Sequence, residues 1–169
     1  MWNNFNNYGD SPQNAFEILC NQLFERYLRR NYKENLVKFR VINGAGGDGG
    51  IEAYGELNTG NIIAVQSKWF PTTMQASQIN QIKISITTAL GIRPNITEYI
   101  ICIPRNIASK KRGKEGKISK NTEEDKANKL ESDIKELFGN LKITWWQSEA
   151  ILTELQLAGN EGIQRYWFD

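Results

Sequence analysis

The spacing of apolar residues divides the chain into alternating helical and extended segments. A helical period from Ala15 to Tyr27 follows Ser11 and Pro12, which are typical of a helix start. The same period predicts three further helices, which end at about Leu90 with Gly91 as the cap, at about Phe138 and at about Leu157. Alternating or continuous apolar runs predict strands at about residues 36–42, 50–56, 61–69, 99–103 and 141–146.

This order, α-β-β-β-α-β-α-β-α, predicts an α/β fold. A chain of 169 residues is long enough to form one domain, here 1–169, with a hydrophobic core of its own. The Arg-Tyr-Trp-Phe-Asp ending is unusually apolar, which fits either a packed terminus or a point at which a longer protein continues.

The glycine-rich stretch from Gly44 to Gly49 formally fits the dinucleotide-binding pattern G-x-G-x-x-G. That pattern requires a following helix, whose N-terminus binds the phosphate, and here a β-hairpin follows instead. We therefore reject a dinucleotide site. The glycines either let the backbone approach a metal or phosphate, or form a tight, bulged turn before the hairpin.

The hairpin tip sets the pairing of its two strands. Asn58–Gly60 fits a three-residue loop with glycine in the left-handed position, and counting back from it places Glu52 opposite Gln66 and on the same face. A two-residue loop at Thr59–Gly60 would instead place Glu52 opposite Ser67. We favour the three-residue loop.

Four residues of this hairpin unit carry the candidate chemistry. Asp48 and Glu52 precede or begin one strand, whereas Gln66 and Lys68 lie two residues apart, and so on one face, of the next. Carboxylates, an amide oxygen and an ammonium group can hold a divalent cation and the water that it activates. The alternative is a polar strand surface with a salt bridge. It is weakened by the apolar run at 62–65, because a buried Lys or Gln costs several kcal/mol unless it is paired.

The chain contains no histidine. This excludes Ser-His-Asp and Cys-His catalysis, histidine-ligated zinc and HNH-type nuclease chemistry within these residues. Hydrolysis would have to use carboxylates, amides and lysine, which favours a hard, oxygen-bound cation such as magnesium.

The succession acid, Gly-Ile-acid, hairpin and Gln-x-Lys resembles the PD-(D/E)xK nuclease superfamily, and in particular its Mrr-like restriction-endonuclease branch, where Gln replaces the acid. The Glu-Ala-Tyr and Lys-Trp-Phe segments resemble a narrower group. These are N-terminal nuclease domains of bacterial antiphage proteins, including STAND-type NTPases and cyclic-oligonucleotide-activated effectors. The resemblance implies the restriction-endonuclease-like αβββαβ core, with a mixed central sheet flanked by helices.

The resemblance also implies a magnesium-dependent DNA endonuclease of low sequence specificity, in which manganese substitutes for magnesium, acting in antiphage defence. Lys68 would hold the attacking water, and Glu17 would be the helix-borne acid that acts on the metal through water. Whether Asp48 or Glu52 is the main ligand is left open. The expected metal ligands are Asp48, Glu52, Gln66 and the backbone carbonyl of Ser67.

The net charge of +2 is too small to identify a nucleic-acid partner, but residues 105–120 hold seven Lys or Arg and one acid. This segment either contacts phosphates or is a solvated loop. The expected DNA contacts are Lys110, Lys111, Arg112, Lys114 and Lys117.

Cutting both DNA strands requires two active sites, which predicts a homodimer or tetramer, gated by oligomerisation or by C-terminal regulatory or sensor domains of a longer protein. The alternative function is a catalytically inactive domain of the same fold that binds nucleic acid or docks a partner.

Cys20 and Cys102 lack ligand-like spacing, so we expect reduced core residues and a cytoplasmic protein. No apolar run reaches the length of a membrane span. We expect the five tryptophans to be core or interface residues and not platforms for base stacking.

Overall fold

The computed structural model describes residues 2–42, 49–111, 113 and 116–169. Short 3-10 helices lie at Trp2–Asn4 and Lys33–Asn35. The longer elements, in chain order, are α1 (Pro12–Tyr32), β1 (Leu36–Val41), β2 (Ala53–Leu57), β3 (Ile62–Ser67), α2 (Ala76–Ile92), β4 (Ile96–Cys102), α3 (Glu123–Leu137), β5 (Lys142–Trp146), α4 (Ser148–Leu155) and α5 (Glu161–Phe168).

The strands form one mixed sheet in the order β1-β2-β3-β4-β5. The pairs β1–β2 and β2–β3 are antiparallel, whereas β3–β4 and β4–β5 are parallel. Helices α2 and α3, which make the two parallel connections, pack on one face, and α1, α4 and α5 pack on the other. Two successive crossovers of the same hand place their helices on one side of a sheet. The predicted α/β class, with a mixed sheet between helices, is confirmed.

Strand β3 lies at the centre of the sheet, and all six of its residues are buried. Ile63 and Val65 pack against the helices on the α1 face, and Ile62 and Ala64 pack on the α2 face. A strand that is covered on both faces has no polar alternation, which accounts for its continuous apolar run.

The outer elements depart from the sequence pattern in three places. Helix α2 continues through Gly91 to Ile92, because glycine at that position keeps a helical conformation at a cost of about 1 kcal/mol. Val37 and Val41 are exposed, since β1 is an edge strand with an irregular register. The final helix α5 was not predicted. Its Trp167 is 3% exposed, so the apolar ending is packed.

The predicted hairpin register is confirmed. Gly60 has a φ of +83° and donates its N–H to Leu57 O at 2.8 Å, while Leu57 N–H donates to Asn61 O at 2.9 Å. Ala53 consequently pairs with Val65. Counting one residue further would pair Glu52 with Gln66, but Glu52 N–H donates to Val65 O, so this last predicted pair does not form.

The glycine turn before β2 packs against the backbone of α2. Gly50 has a φ of +83°, and a Cβ there would overlap the carbonyl oxygen of Ser85 and lie 3.2 Å from Ala89 N. Of the two roles left open for the glycines, Gly50 fulfils the structural one: its close approach is to a helix. Among the described residues, no helix is both long and apolar enough to span a membrane.

Gly50→Ala should destabilise the protein far more than Gly60→Ala. Both glycines have a φ of +83°, but no atom lies within 4 Å of a Cβ at Gly60. A left-handed alanine costs roughly 1–2 kcal/mol, and the clash with α2 adds roughly 1–3 kcal/mol at Gly50 only. Urea denaturation measures both free energies of unfolding. Equal losses would contradict the packing of Gly50 on α2.

Candidate active site

The candidate site lies at the carboxyl end of β3, beyond the last residue pair of the β2–β3 ladder. Lys68 N–H donates to Cys102 O on β4 at 2.9 Å. Because N–H and C=O groups alternate sides along a strand, both groups of Ser67 point the other way, towards the space beside β2. There Glu52 Oε2 accepts the Ser67 N–H at 2.5 Å. Glu52 is 4% exposed, so its carboxylate is held beside the end of β3.

A bulge in the backbone determines where the Glu52 side chain points. Glu52 N–H donates to Val65 O at 2.9 Å, although Val65 pairs with Ala53. Two residues therefore oppose one, as in a β-bulge, a feature that redirects side chains. Ile51 and Tyr54 both pack on the α2 face, which strict alternation forbids. The prediction that Glu52 lies opposite Gln66 on one face is therefore wrong: the alternation stops at Ala53, and the Ser67 amide positions the carboxylate instead.

Gln66 and Ser67 each carry a buried polar atom that has no hydrogen-bond partner among the described residues. Gln66 is fully buried and its side-chain oxygen lies 3.1 Å from Tyr99 Oη. Among the described residues, Gln66 Nε2 and Ser67 Oγ make no hydrogen bond. Nearly all buried polar atoms in proteins have a partner, so these two atoms on adjacent residues are candidates to contact a ligand, an ion or a water molecule.

Lys68 follows Gln66 by two residues, on the same face of the strand, and is half-buried. Its ammonium group makes no hydrogen bond or ion pair with the part of the chain that the structure describes. Lys38, Lys83 and Lys129, by contrast, each pair with a carboxylate. The ammonium group of Lys68 is thus available to a ligand at the end of β3.

Helix α1 contributes a second acid to this end of the sheet. Gln13 Nε2 donates to Ser67 O at 3.5 Å, and Gln13 Oε1 accepts the Trp69 N–H at 2.9 Å. Glu17 lies one helical turn further along the same face of α1 and is half-buried. Sequence reasoning missed Gln13, whose only signal was its spacing of four residues from Glu17.

A buried thiol places Glu17 and Glu52 in one neighbourhood. Burial raises the pKa of Cys20 well above its usual value, with further contributions from Cys102, Glu52 and Glu17. Two carboxylates act on one thiol only if both lie near it. Glu17 and Glu52 therefore both lie near Cys20, and Glu52 also contacts the end of β3, whereas Asp48 lies outside the described residues.

Within the described ranges, no group of three or more His, Cys, Asp or Glu side chains is arranged to hold a metal ion. The ligand set predicted from sequence differs in kind. It includes an amide oxygen and a backbone carbonyl, which do not belong to side chains of those four types. It also includes Asp48, which lies outside the described residues.

The basic segment leaves the sheet beside this site, because β3 and β4 are parallel and their carboxyl ends meet at one edge. Lys110 Nζ lies 2.8 Å from Asp125, and this hydrogen bond raises the pKa of Lys110. Lys111 and Lys117 are exposed. Ser119 N–H donates to Lys111 O at 3.0 Å, which joins the chain at Lys111 to the chain at Ser119. The other predicted contacts, Arg112 and Lys114, lie outside the described residues.

Arg105, which we counted in the basic segment, has a structural role. Its guanidinium group donates to the buried carboxylate of Glu123 at 2.9 Å and to Thr72 O at 2.8 Å. Glu123 also accepts the N–H groups of Met74 and Ala108, at 2.8 and 2.7 Å. This ion pair joins the segments that follow β3 and β4, and so holds the two sides of the site together.

Aromatic packing fixes the chain directly after Lys68. The Trp69 ring lies 5.4 Å from Phe16 and 5.9 Å from Trp2, measured between centroids. All five tryptophans belong to the two hydrophobic clusters or pack against them, which confirms the core role that we expected.

The raised pKa of Cys20 predicts a pH dependence of stability. The pKa of Cys20 is higher in the folded protein than in the unfolded chain. Its contribution to the free energy of unfolding is therefore present below about pH 8.5 and is lost as the pH rises, because the unfolded thiol ionises first. Urea denaturation between pH 7 and 10 should show a decline steeper in wild type than in Cys20→Ala, by up to about 1.4 kcal/mol per pH unit. Parallel declines would contradict this burial of the thiol.

A comparison with protein-family models gives no match, and no curated protein matches the chain either. The resemblance to PD-(D/E)xK nucleases therefore remains an expectation from the sequence.

Proposed function

We propose that this chain is a magnesium-dependent endonuclease domain that hydrolyses DNA. The observation that carries the proposal is the end of β3. There the buried residues Gln66 and Ser67 adjoin the Glu52 carboxylate, and each has a polar atom without a hydrogen-bond partner among the described residues. Lys68 follows them, and its ammonium group makes no ion pair with a described residue.

The donor atoms at this place suit a hard cation. A carboxylate oxygen that accepts one N–H keeps lone pairs for an ion, and a backbone carbonyl has two. Glu52, the Ser67 carbonyl and the Gln66 side-chain oxygen would hold magnesium, with Glu17 and, from the sequence, Asp48 completing the acids. When bound, magnesium supplies charge stabilisation at the phosphate and lowers the pKa of a nearby water.

Lys68 would orient the attacking water and stabilise the negative charge that develops on the phosphate. Two features support this role. The side chain shares a strand face with Gln66. It is half-buried, and no described carboxylate forms an ion pair with it. The Gln13 contacts to Ser67 and Trp69 fix the backbone on either side of Lys68, which limits where its ammonium group can reach.

DNA is the substrate that fits the surroundings best. The basic segment after β4 emerges at the same edge of the sheet as Lys68, so Lys111 and Lys117 would contact phosphates that flank the scissile one. Among the described elements, none presents a set of base-reading side chains, and we propose weak sequence preference. From the resemblance we further propose that the activity serves antiphage defence.

One site cuts one strand, so double-strand cleavage needs two chains. We propose that the active form is a dimer or tetramer, gated by assembly or by sensor domains of a longer protein. Light scattering during cleavage tests this: cutting of both strands by monomers alone would contradict it.

Lys68→Ala should abolish nicking and linearisation of plasmid DNA in magnesium while leaving DNA binding within about twofold. The loss is expected because the ammonium acts on the reacting groups and not on duplex contacts. Lys38→Ala is the matched control. Lys38 is a lysine of the same sheet whose ion pair with Glu56 lies towards the hairpin tip, and its loss should leave cleavage unchanged.

Glu52→Ala should also abolish cleavage, and calorimetry should show weakened magnesium or manganese uptake. Full activity in Lys68→Ala would overturn the mechanism. Wild type that binds DNA but neither takes up the metal nor cuts under any condition would instead favour the catalytically inactive, nucleic-acid-binding alternative.

Lys111→Ala should weaken DNA binding and lower the slope of log K against log salt by about 0.9, the value for one phosphate contact. Lys135→Ala, which removes a positive charge from the last turn of α3, should leave the slope unchanged. Fluorescence anisotropy between 50 and 200 mM salt measures both slopes. Identical slopes in the two variants would remove the basic segment from the interface.

A further inference from the structure

Tyr99 is a buried tyrosine whose hydroxyl group reaches the candidate site from the neighbouring strand. It lies on β4 across from Ala64 and is fully buried. Its Oη donates to the carbonyl oxygen of Gly50 and lies 3.1 Å from the Gln66 side chain. Tyr99 thus links the glycine turn before β2 to the end of β3.

The number of protons on this hydroxyl decides how the Gln66 amide is oriented. A tyrosine hydroxyl has one proton, and a backbone carbonyl can only accept, so the proton of Tyr99 goes to Gly50. The contact with Gln66 is then a hydrogen bond only if the Gln66 NH2 group donates to Oη. Side-chain amides are assigned from such networks, because oxygen and nitrogen have nearly the same shape.

This orientation also changes which Gln66 atom lacks a partner. With Nε2 against Tyr99, the buried atom without a described hydrogen bond becomes the side-chain oxygen. A carbonyl-type oxygen beside Ser67, whose amide holds the Glu52 carboxylate, is a cation ligand, whereas an NH2 group in that place would repel a cation.

We propose that Tyr99 is a positioning residue that orients the Gln66 amide so that its oxygen, and not its nitrogen, is presented to a divalent cation. The inference rests on the proposed function and adds a residue to it. A glutamate needs no such device, because its two oxygens are equivalent. Tyr99 matters because residue 66 is glutamine.

The test is a double-mutant cycle measured by calorimetric titration with Mn2+. Tyr99→Phe should weaken Mn2+ binding roughly 10–100-fold, the range for residues that orient a metal ligand. In the Gln66→Glu background the same substitution should change affinity by less than about threefold, because nothing remains to orient. Tyr54→Phe, a buried tyrosine of the same hydrophobic cluster, is the control and should leave Mn2+ affinity unchanged.

An equal loss in both backgrounds, or no loss in either, would overturn the positioning role, since a merely structural tyrosine acts regardless of residue 66. Thermal denaturation confirms that each variant is folded. NMR exchange rates of the Gln66 NH2 protons give a reading without metal: they should rise in Tyr99→Phe, and unchanged rates would overturn the amide orientation.

These readings separate the two proposals. If wild type binds no Mn2+, but the exchange rates of the Gln66 NH2 protons still differ between wild type and Tyr99→Phe, the proposed metal site and the ligand role of Gln66 are overturned. Equal Mn2+ affinities of wild type and Tyr99→Phe would overturn only the role of Tyr99.

Discussion

The hydrogen bond from the Ser67 amide to the Glu52 carboxylate is the contact on which the candidate site depends. Strand β3 extends further than its antiparallel partner β2. The N–H and C=O groups of Ser67 point to the β2 side, where no strand lies beside them. A bulge at the start of β2 turns Glu52 into that gap, where its carboxylate takes the place of the missing strand. One acid thereby satisfies a buried amide and becomes fixed beside the residues that carry the proposed chemistry.

The surrounding fold holds this end of the sheet rigid from several directions. Gly50 packs on the backbone of α2 and receives the Tyr99 hydroxyl, which fixes the turn that leads to Glu52. Gln13 holds the backbone after Ser67, and the buried Arg105–Glu123 pair ties together the segments that follow β3 and β4. Each contact joins elements distant in sequence, so the site is a product of the whole fold and not of the hairpin alone.

What the sequence could predict follows from how local each signal was. The register of the β2–β3 hairpin was predictable because loop length and one glycine at a left-handed position determine it. The strands and most helices were predictable from periodicity. The short helix α5 was missed because its packing, through Trp167 against distant residues, stabilises it more than its local pattern. Tyr99 looked like an ordinary core residue of an apolar strand, since nothing nearby in sequence marks its hydroxyl contacts.

The bulge at Glu52 was missed for a similar reason: it depends on hydrogen bonds to both neighbouring strands, which local alternation does not encode. The most direct measurement of the central claim is anomalous diffraction from crystals soaked in manganese chloride. The account predicts a peak within about 2.5 Å of a Glu52 carboxylate oxygen and the Gln66 side-chain oxygen, next to the Ser67 carbonyl. A peak bound elsewhere, or none at saturating manganese, would contradict it.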